Sequence, residues 1–93
     1  IGGRRGVVAK RIGGVVCPVD IFMPAGSRYG YVSNSCDNTL SVLDTQSQSV
    51  PAGITVGLGP WLIAADMDLG QLYVPCYDGG ELAVVDEATR TTV

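Results

Sequence analysis

Short runs in which β-branched and aromatic residues alternate with small or polar ones follow one another through most of the chain, separated by clusters of Gly, Pro, Asn and Asp. A period of two is what a strand needs to send one side chain to a core and the next to the opposite face. The runs predict strands near 19–23, 29–34, 39–44 and 49–56, then near 61–65, 71–76 and 81–86. PAGSRYG and DMDLG supply the first turn of each set, SCDN and YDGG the second, and TQSQS the third. Asn, Asp and Gly tolerate the backbone that a tight hairpin requires. No long stretch keeps a 3.6-residue apolar period, so no helix is predicted.

The two sets of strands are copies of one unit. Residues 15–51 laid over 57–93, an offset of 42, match Pro18 with Pro60, Ile21 with Ile63, Tyr31 with Tyr73 and Val32 with Val74. Leu40 matches Leu82, Val42 matches Val84 and Asp44 matches Asp86. These identities fall on the apolar positions of the runs and at their ends, where a shared strand pattern places them. A four-stranded antiparallel unit repeating at this length predicts an all-β fold of β-propeller blades. Residues 15–56 form one blade, and 57–93 a second that lacks most of its last strand. The same register extends backwards, Val8 with Val50 and Ile12 with Ile54. Residues 1–14 are therefore expected to end a preceding blade, with an outer hairpin over 1–6 and a last strand over 7–12. Propellers close with about four to eight blades, so the ring is incomplete in this chain.

The segment GYVSNSCDNTLSVLDT resembles the YVTN-type β-propeller repeat, in which a Tyr-Val-x-Asn strand leads through a polar turn into a Ser-Val-Ile/Leu-Asp strand. GLGPWLI at 57–63 resembles the Gly-x-x-Pro approach to the innermost strand of such a blade. The second copy departs from the pattern, with Cys76 where Asn34 stands and Pro75 inside the strand. Proline removes a ladder donor, so Pro75 is expected at a strand end or bulge. The resemblance implies relatives that are mostly secreted, periplasmic or on the cell surface. These include lactonase-like proteins and haem- or quinone-dependent periplasmic oxidoreductases.

Composition bounds the function further. A chain of 93 residues with 46% hydrophobic and 16% charged residues is more apolar than so small a unit can cover alone, which points to a partner surface or a missing remainder; the chain is expected to be part of a longer propeller, or else to be completed by a protein partner or further copies of itself. Arg4, Arg5, Lys10 and Arg11 lie in the first fourteen residues, which hold no acid; elsewhere nine acids face only Arg28 and Arg90, a balance of −7. Nucleic-acid surfaces add interleaved aromatics and more positive charge, so nucleic acid is not an expected partner. No run approaches the roughly eighteen apolar residues of a membrane span.

The sequence contains no His, which removes the commonest general base and metal ligand, and catalysis within this segment is disfavoured. Cys17, Cys36 and Cys76 all fall beside turns on one end of the blades. Pairing of Cys17 with Cys36, pairing of Cys36 with Cys76, and free thiols all remain open, since bridging needs Cα atoms within about 7 Å. Cysteines in turns suit an oxidising compartment, and an extracytoplasmic location is expected. No Cys-x2-Cys spacing supports zinc. Asp20, Asp37, Asp78 and Trp61 stand near predicted loops and form a candidate binding face; no cofactor or metal is implied. The recurrence of Asp44 and Asp86 suggests a side chain that caps the turn after it.

Strong repeat signal without catalytic signal favours a non-catalytic binding or assembly module that presents loops or blade edges to a protein partner. The alternatives are a fragment of a propeller enzyme and a structural subunit of an extracellular layer or filament, propagated by head-to-tail contacts.

Overall fold

A computed structural model describes residues 10–93 of the chain. Eight strands form two antiparallel meanders. The first sheet runs β1 (Pro18–Phe22), β2 (Tyr29–Asn34), β3 (Thr39–Asp44), β4 (Ser49–Thr55), and the second β5 (Ala64–Asp66), β6 (Gln71–Cys76), β7 (Glu81–Asp86), β8 (Thr91–Thr92). In each sheet the spatial order is the chain order. Together they are consecutive blades of a β-propeller and do not close a ring in this chain. Residues 7–9 of the expected strand over 7–12 lie outside the described residues, as does the whole hairpin over 1–6; residues 10–12 form no strand.

The hairpins share a construction. Each four-residue loop ends on a residue in the left-handed region: Asn38 (φ 59°), Gln48 (54°), Gly70 (66°), Gly80 (63°) and Arg90 (56°). That last residue turns the chain back into register, and Gly or Asn adopts it most readily. The aspartates hold three of these loops from within. Asp44 Oδ1 accepts the backbone N–H of Gln46 at 2.9 Å and Asp86 Oδ1 that of Ala88 at 2.9 Å, as their recurrence predicts. Asp66 accepts from Asp68 in the same way.

The core lies between the sheets, and the two sheets bury opposite faces of the repeat. The first contributes Tyr31, Leu40, Val42 and Ile54; the second contributes Leu72, Val74, Ala83 and Val85. Val74 is the repeat counterpart of Val32, which pairs with Ile21 on the far face of the first sheet. Successive sheets therefore stack in one direction, the right-hand face of one on the left-hand face of the next, as blades do. Polar contacts fix the stacking. Tyr31 Oη donates to Glu87 Oε2 at 2.9 Å, and Asp20 Oδ2 accepts the N–H of Ile63 at 2.8 Å.

One strand differs from its sequence expectation. The strand near 61–65 is confined to Ala64–Asp66, with an isolated bridge from Pro60 to Cys76 beyond the gap. Pro75 is the cause. It lies inside β6, opposite Leu82 of β7, and not at a strand end. Its carbonyl accepts from Trp61 N–H at 2.9 Å, so its nitrogen, which has no hydrogen, faces the innermost strand. The ladder loses a donor there and the strand breaks. The first sheet has a β-bulge at the same place, between Pro18 and Asp20, where Ser33 Oγ accepts Asp20 N–H instead.

Candidate functional site

At the loop end of the first sheet, Cys17 and Cys36 form a disulfide with Cα atoms 5.4 Å apart, while Cys76 is a buried free thiol. Cys17 has φ 46°, a left-handed backbone that costs a non-glycine residue about 1 kcal/mol or more. The crosslink spans a sequence separation of 19, and closing a loop of that size stabilises by about 3 kcal/mol. The crosslink outweighs the strain. The second sheet holds Gly59 (φ 64°) and Asp78 at the equivalent positions, and a Cβ on Gly59 would lie 2.6 Å from Asp78 Oδ2. One backbone geometry thus brings both pairs together.

The polar groups of this end are used inside the fold. Asn34, 1% exposed, accepts Val16 N–H at 3.0 Å and donates to Thr39 Oγ1 and Ser41 Oγ, and Ser41 donates to the Gly14 carbonyl. In the second unit all three side chains change together: Cys76 replaces Asn34, Glu81 replaces Thr39 and Ala83 replaces Ser41. Cys76 is as buried as Asn34 and makes only a 3.5 Å contact from Sγ to the Val74 carbonyl. A buried hydrogen-bond network is either complete or absent, because a partial one leaves unpaired groups in a low dielectric.

The residues proposed for a binding face do not converge. Asp20 is spent on Ile63, at the junction of the sheets. Asp37 and Asp78 are exposed on separate hairpins, and Trp61, 50% exposed, stands outside the core. Among the described residues no group of three or more Cys, Asp or Glu is placed to hold a metal ion. At the opposite end Arg28 pairs with Asp44 through two bonds of 2.8 and 2.7 Å and lies over the Tyr29 ring, which Arg90 also covers at 4.7 Å. The guanidinium holds the Asp44 carboxyl well below the usual carboxylate range, aided by the backbone N–H groups of Gln46 and Ser47. Burial, and then the hydrogen bond to Glu87, pushes the Tyr31 phenol above its ordinary value. These charges lock turns and sheets; they are engaged with one another.

What remains free is a face. On the outward side of the second sheet Tyr73 stands opposite Val84, and Pro75 opposite Leu82. Leu82 is 60% exposed, and Trp61 with Leu62 extends the apolar surface beyond the strands. Trp61, Pro75, Tyr77 and Leu82 line a shallow groove of about 450 Å³. Tyr73, Leu82 and Val84 occupy the repeat positions of Tyr31, Leu40 and Val42, which in the first sheet are buried under the second. The sequence reading named blade edges but none of the residues of this face except Trp61. The signal for it was the repeat itself, since apolar residues recurring at the covered positions of one sheet mark a surface built to be covered in the next.

No known family profile matches the chain, and no curated protein matches its sequence. Solved structures do match in fold. Kuenenia stuttgartiensis hydrazine synthase aligns over 95% of this chain with a TM-score of 0.77 and 21% identity. Apo AztD from Citrobacter koseri aligns over 88% with a TM-score of 0.71 and 19% identity. The chain spans about a quarter of the length of each, 26% and 24%. At these identities the likeness carries the propeller fold.

Proposed function

We propose that this chain is a protein-binding and assembly module that works through the outward face of its second sheet. The observation that carries the reading is one repeat position in two states: Leu40 is 0% exposed and Leu82 is 60% exposed. Contiguous exposed apolar surface of this kind marks a place that another protein or a further blade covers, and burying one such side chain stabilises by about 1.5–3 kcal/mol. The Tyr-Val-x-Asn and Ser-Val-Leu-Asp strands of residues 31–34 and 41–44 support placing the chain among YVTN-type repeats. The disulfide, with both cysteines exposed, supports an extracytoplasmic location. An enzyme reading draws on the hydrazine synthase likeness alone, which reaches the fold and no residue of a site.

A photoreactive phenylalanine analogue at position 82, in the full protein in its native setting, tests the reading. A protein adduct at 82, with none from the same group at exposed Thr89, is the expected result. Equal or absent crosslinking at the two positions sinks it.

A further inference from the structure

The connection over residues 14–17 is fastened to the first sheet in a way its counterpart is not. Ser35 donates to the Cys17 carbonyl from its backbone N–H at 3.2 Å and from its hydroxyl at 3.0 Å. Val16 N–H reaches Asn34 Oδ1 at 3.0 Å, the Gly14 carbonyl accepts from Ser41 Oγ at 2.8 Å, and the disulfide to Cys36 closes the set. The counterpart over 56–59 holds its place without a covalent bond. Tyr77 N–H donates to the Gly59 carbonyl at 2.9 Å, Gly79 N–H to the Leu58 carbonyl at 3.2 Å, and Gly59 N–H to Asn38 Oδ1 at 3.0 Å. Gly59 takes the left-handed backbone freely, whereas Cys17 takes it, at φ 46°, against the preference of any residue with a Cβ. The blade does not need a crosslink to make this turn, but Cys17 needs one to stay in it.

The bond can also be reached. Cys36 is on the tip of the β2–β3 hairpin and is exposed although the second sheet packs on one side of its blade. Its counterpart Asp78 is exposed although the first sheet packs on the other side. The position therefore faces solvent beside either neighbour. The polar groups under the connection occur only where the crosslink does: Asn34 and Ser41 are buried beneath it, while Cys76 and Ala83 stand at those places in the second sheet, with Gly57 packed on Cys76.

We infer that the Cys17–Cys36 bond is a redox latch, whose reduction by a dithiol releases the connection over 14–17 from the first sheet while the strands stay paired. A thiolate of the dithiol attacks Cys36 Sγ, the bond to Cys17 breaks, and Cys17 leaves as a thiolate and takes up a proton. The second thiol of the dithiol attacks the mixed disulfide and frees Cys36, so that two electrons and two protons pass from the dithiol to the two cysteines. Cys17 then relaxes out of the left-handed region, its carbonyl leaves Ser35, and Asn34 Oδ1 and the Ser41 hydroxyl turn to water. This goes beyond the docking reading above and does not depend on it.

Amide hydrogen exchange of the full protein, oxidised and then reduced with dithiothreitol in the absence of denaturant, tests the latch. The amides of Val16 and Ser35 should exchange at least about tenfold faster after reduction. Those within β2 and β3, and those of Tyr77 and Gly79, should keep their rates. Native alkylation should then label Cys17 and Cys36 and spare buried Cys76. Cys17→Ser with Cys36→Ser should exchange as the reduced protein does. Cys17→Gly with Cys36→Ser, which gives position 17 the residue of the second copy, should slow Val16 and Ser35 by about fivefold relative to that variant, because the strain is gone. Unchanged exchange at Val16 and Ser35 on reduction overturns the inference, as do equal rates in the two variants. So does acceleration throughout β2 and β3, or a bond cut only in denaturant, since either makes the disulfide a staple of the whole blade.

Discussion

Asp44 and its repeat partner Asp86 both cap their hairpins, but Asp44 alone of the two also receives Arg28, through two bonds. Its carboxyl is held below the ordinary range, first by the Arg28 hydrogen bonds. A group whose folded pKa is depressed contributes stability above its unfolded value, about 3.9, and loses it as pH falls through the folded value. Asp44→Asn should therefore be less stable than wild type at neutral pH, with a flatter loss of stability between about pH 5 and pH 2; urea unfolding across that range measures it. The Asn34 network gives a second test at this scale. Asn34→Ala alone removes the acceptor of Val16 N–H and the donor to the Ser41 oxygen and should cost about 1–3 kcal/mol. The combination Asn34→Cys, Thr39→Glu and Ser41→Ala, which installs the second unit's own set, should cost less than its single changes sum to, as denaturation midpoints of the series will show.

At the scale of elements, a shared backbone accepts different chemistry at the same place. The connection into β1 is pinned to the β2–β3 hairpin by a disulfide, and its counterpart before β5 is packed under Asp78 with Gly59 in the left-handed region. Gly59→Cys with Asp78→Cys should form a second disulfide without rearrangement, leaving Cys76 as the free thiol. Alkylation followed by intact mass checks the count. The innermost strands were the hardest elements to bound from sequence. Their alternating residues say strand, yet whether a ladder continues depends on the donors of the neighbouring strand, and Pro75 withholds one across the sheet. Hairpins and the strands β2, β3, β6 and β7 were legible because their signals are local: alternation, then a turn residue that tolerates positive φ.

For the whole molecule, burial is set by stacking order. Leu40→Ala opens a cavity between two packed sheets and should cost about 2–5 kcal/mol. Leu82→Ala, at an exposed position, should change stability by no more than about 0.5 kcal/mol. Chemical denaturation of both variants compares the two states of one repeat position directly, and equal costs would contradict the arrangement of faces. Among the described residues no helix is long and apolar enough to cross a membrane. Part of the exposed apolar surface, Leu82 foremost, lies on the outward face of the second sheet.

The sequence by itself determined the strand pattern, the 42-residue period, the turn chemistry of Asp44 and Asp86 and the all-β propeller class, because each is written in residues near one another along the chain. It left open the partner of Cys36 and the break in the strand before Ala64, and it said nothing of the Tyr31–Glu87 contact between sheets. Those depend on which elements lie side by side. The tertiary structure alone decided which faces are covered. Leu40 and Leu82 have the same identity and the same place in a strand, so local propensity treats them alike; only the neighbouring sheet, packed over the first, makes it a core residue while the second is exposed.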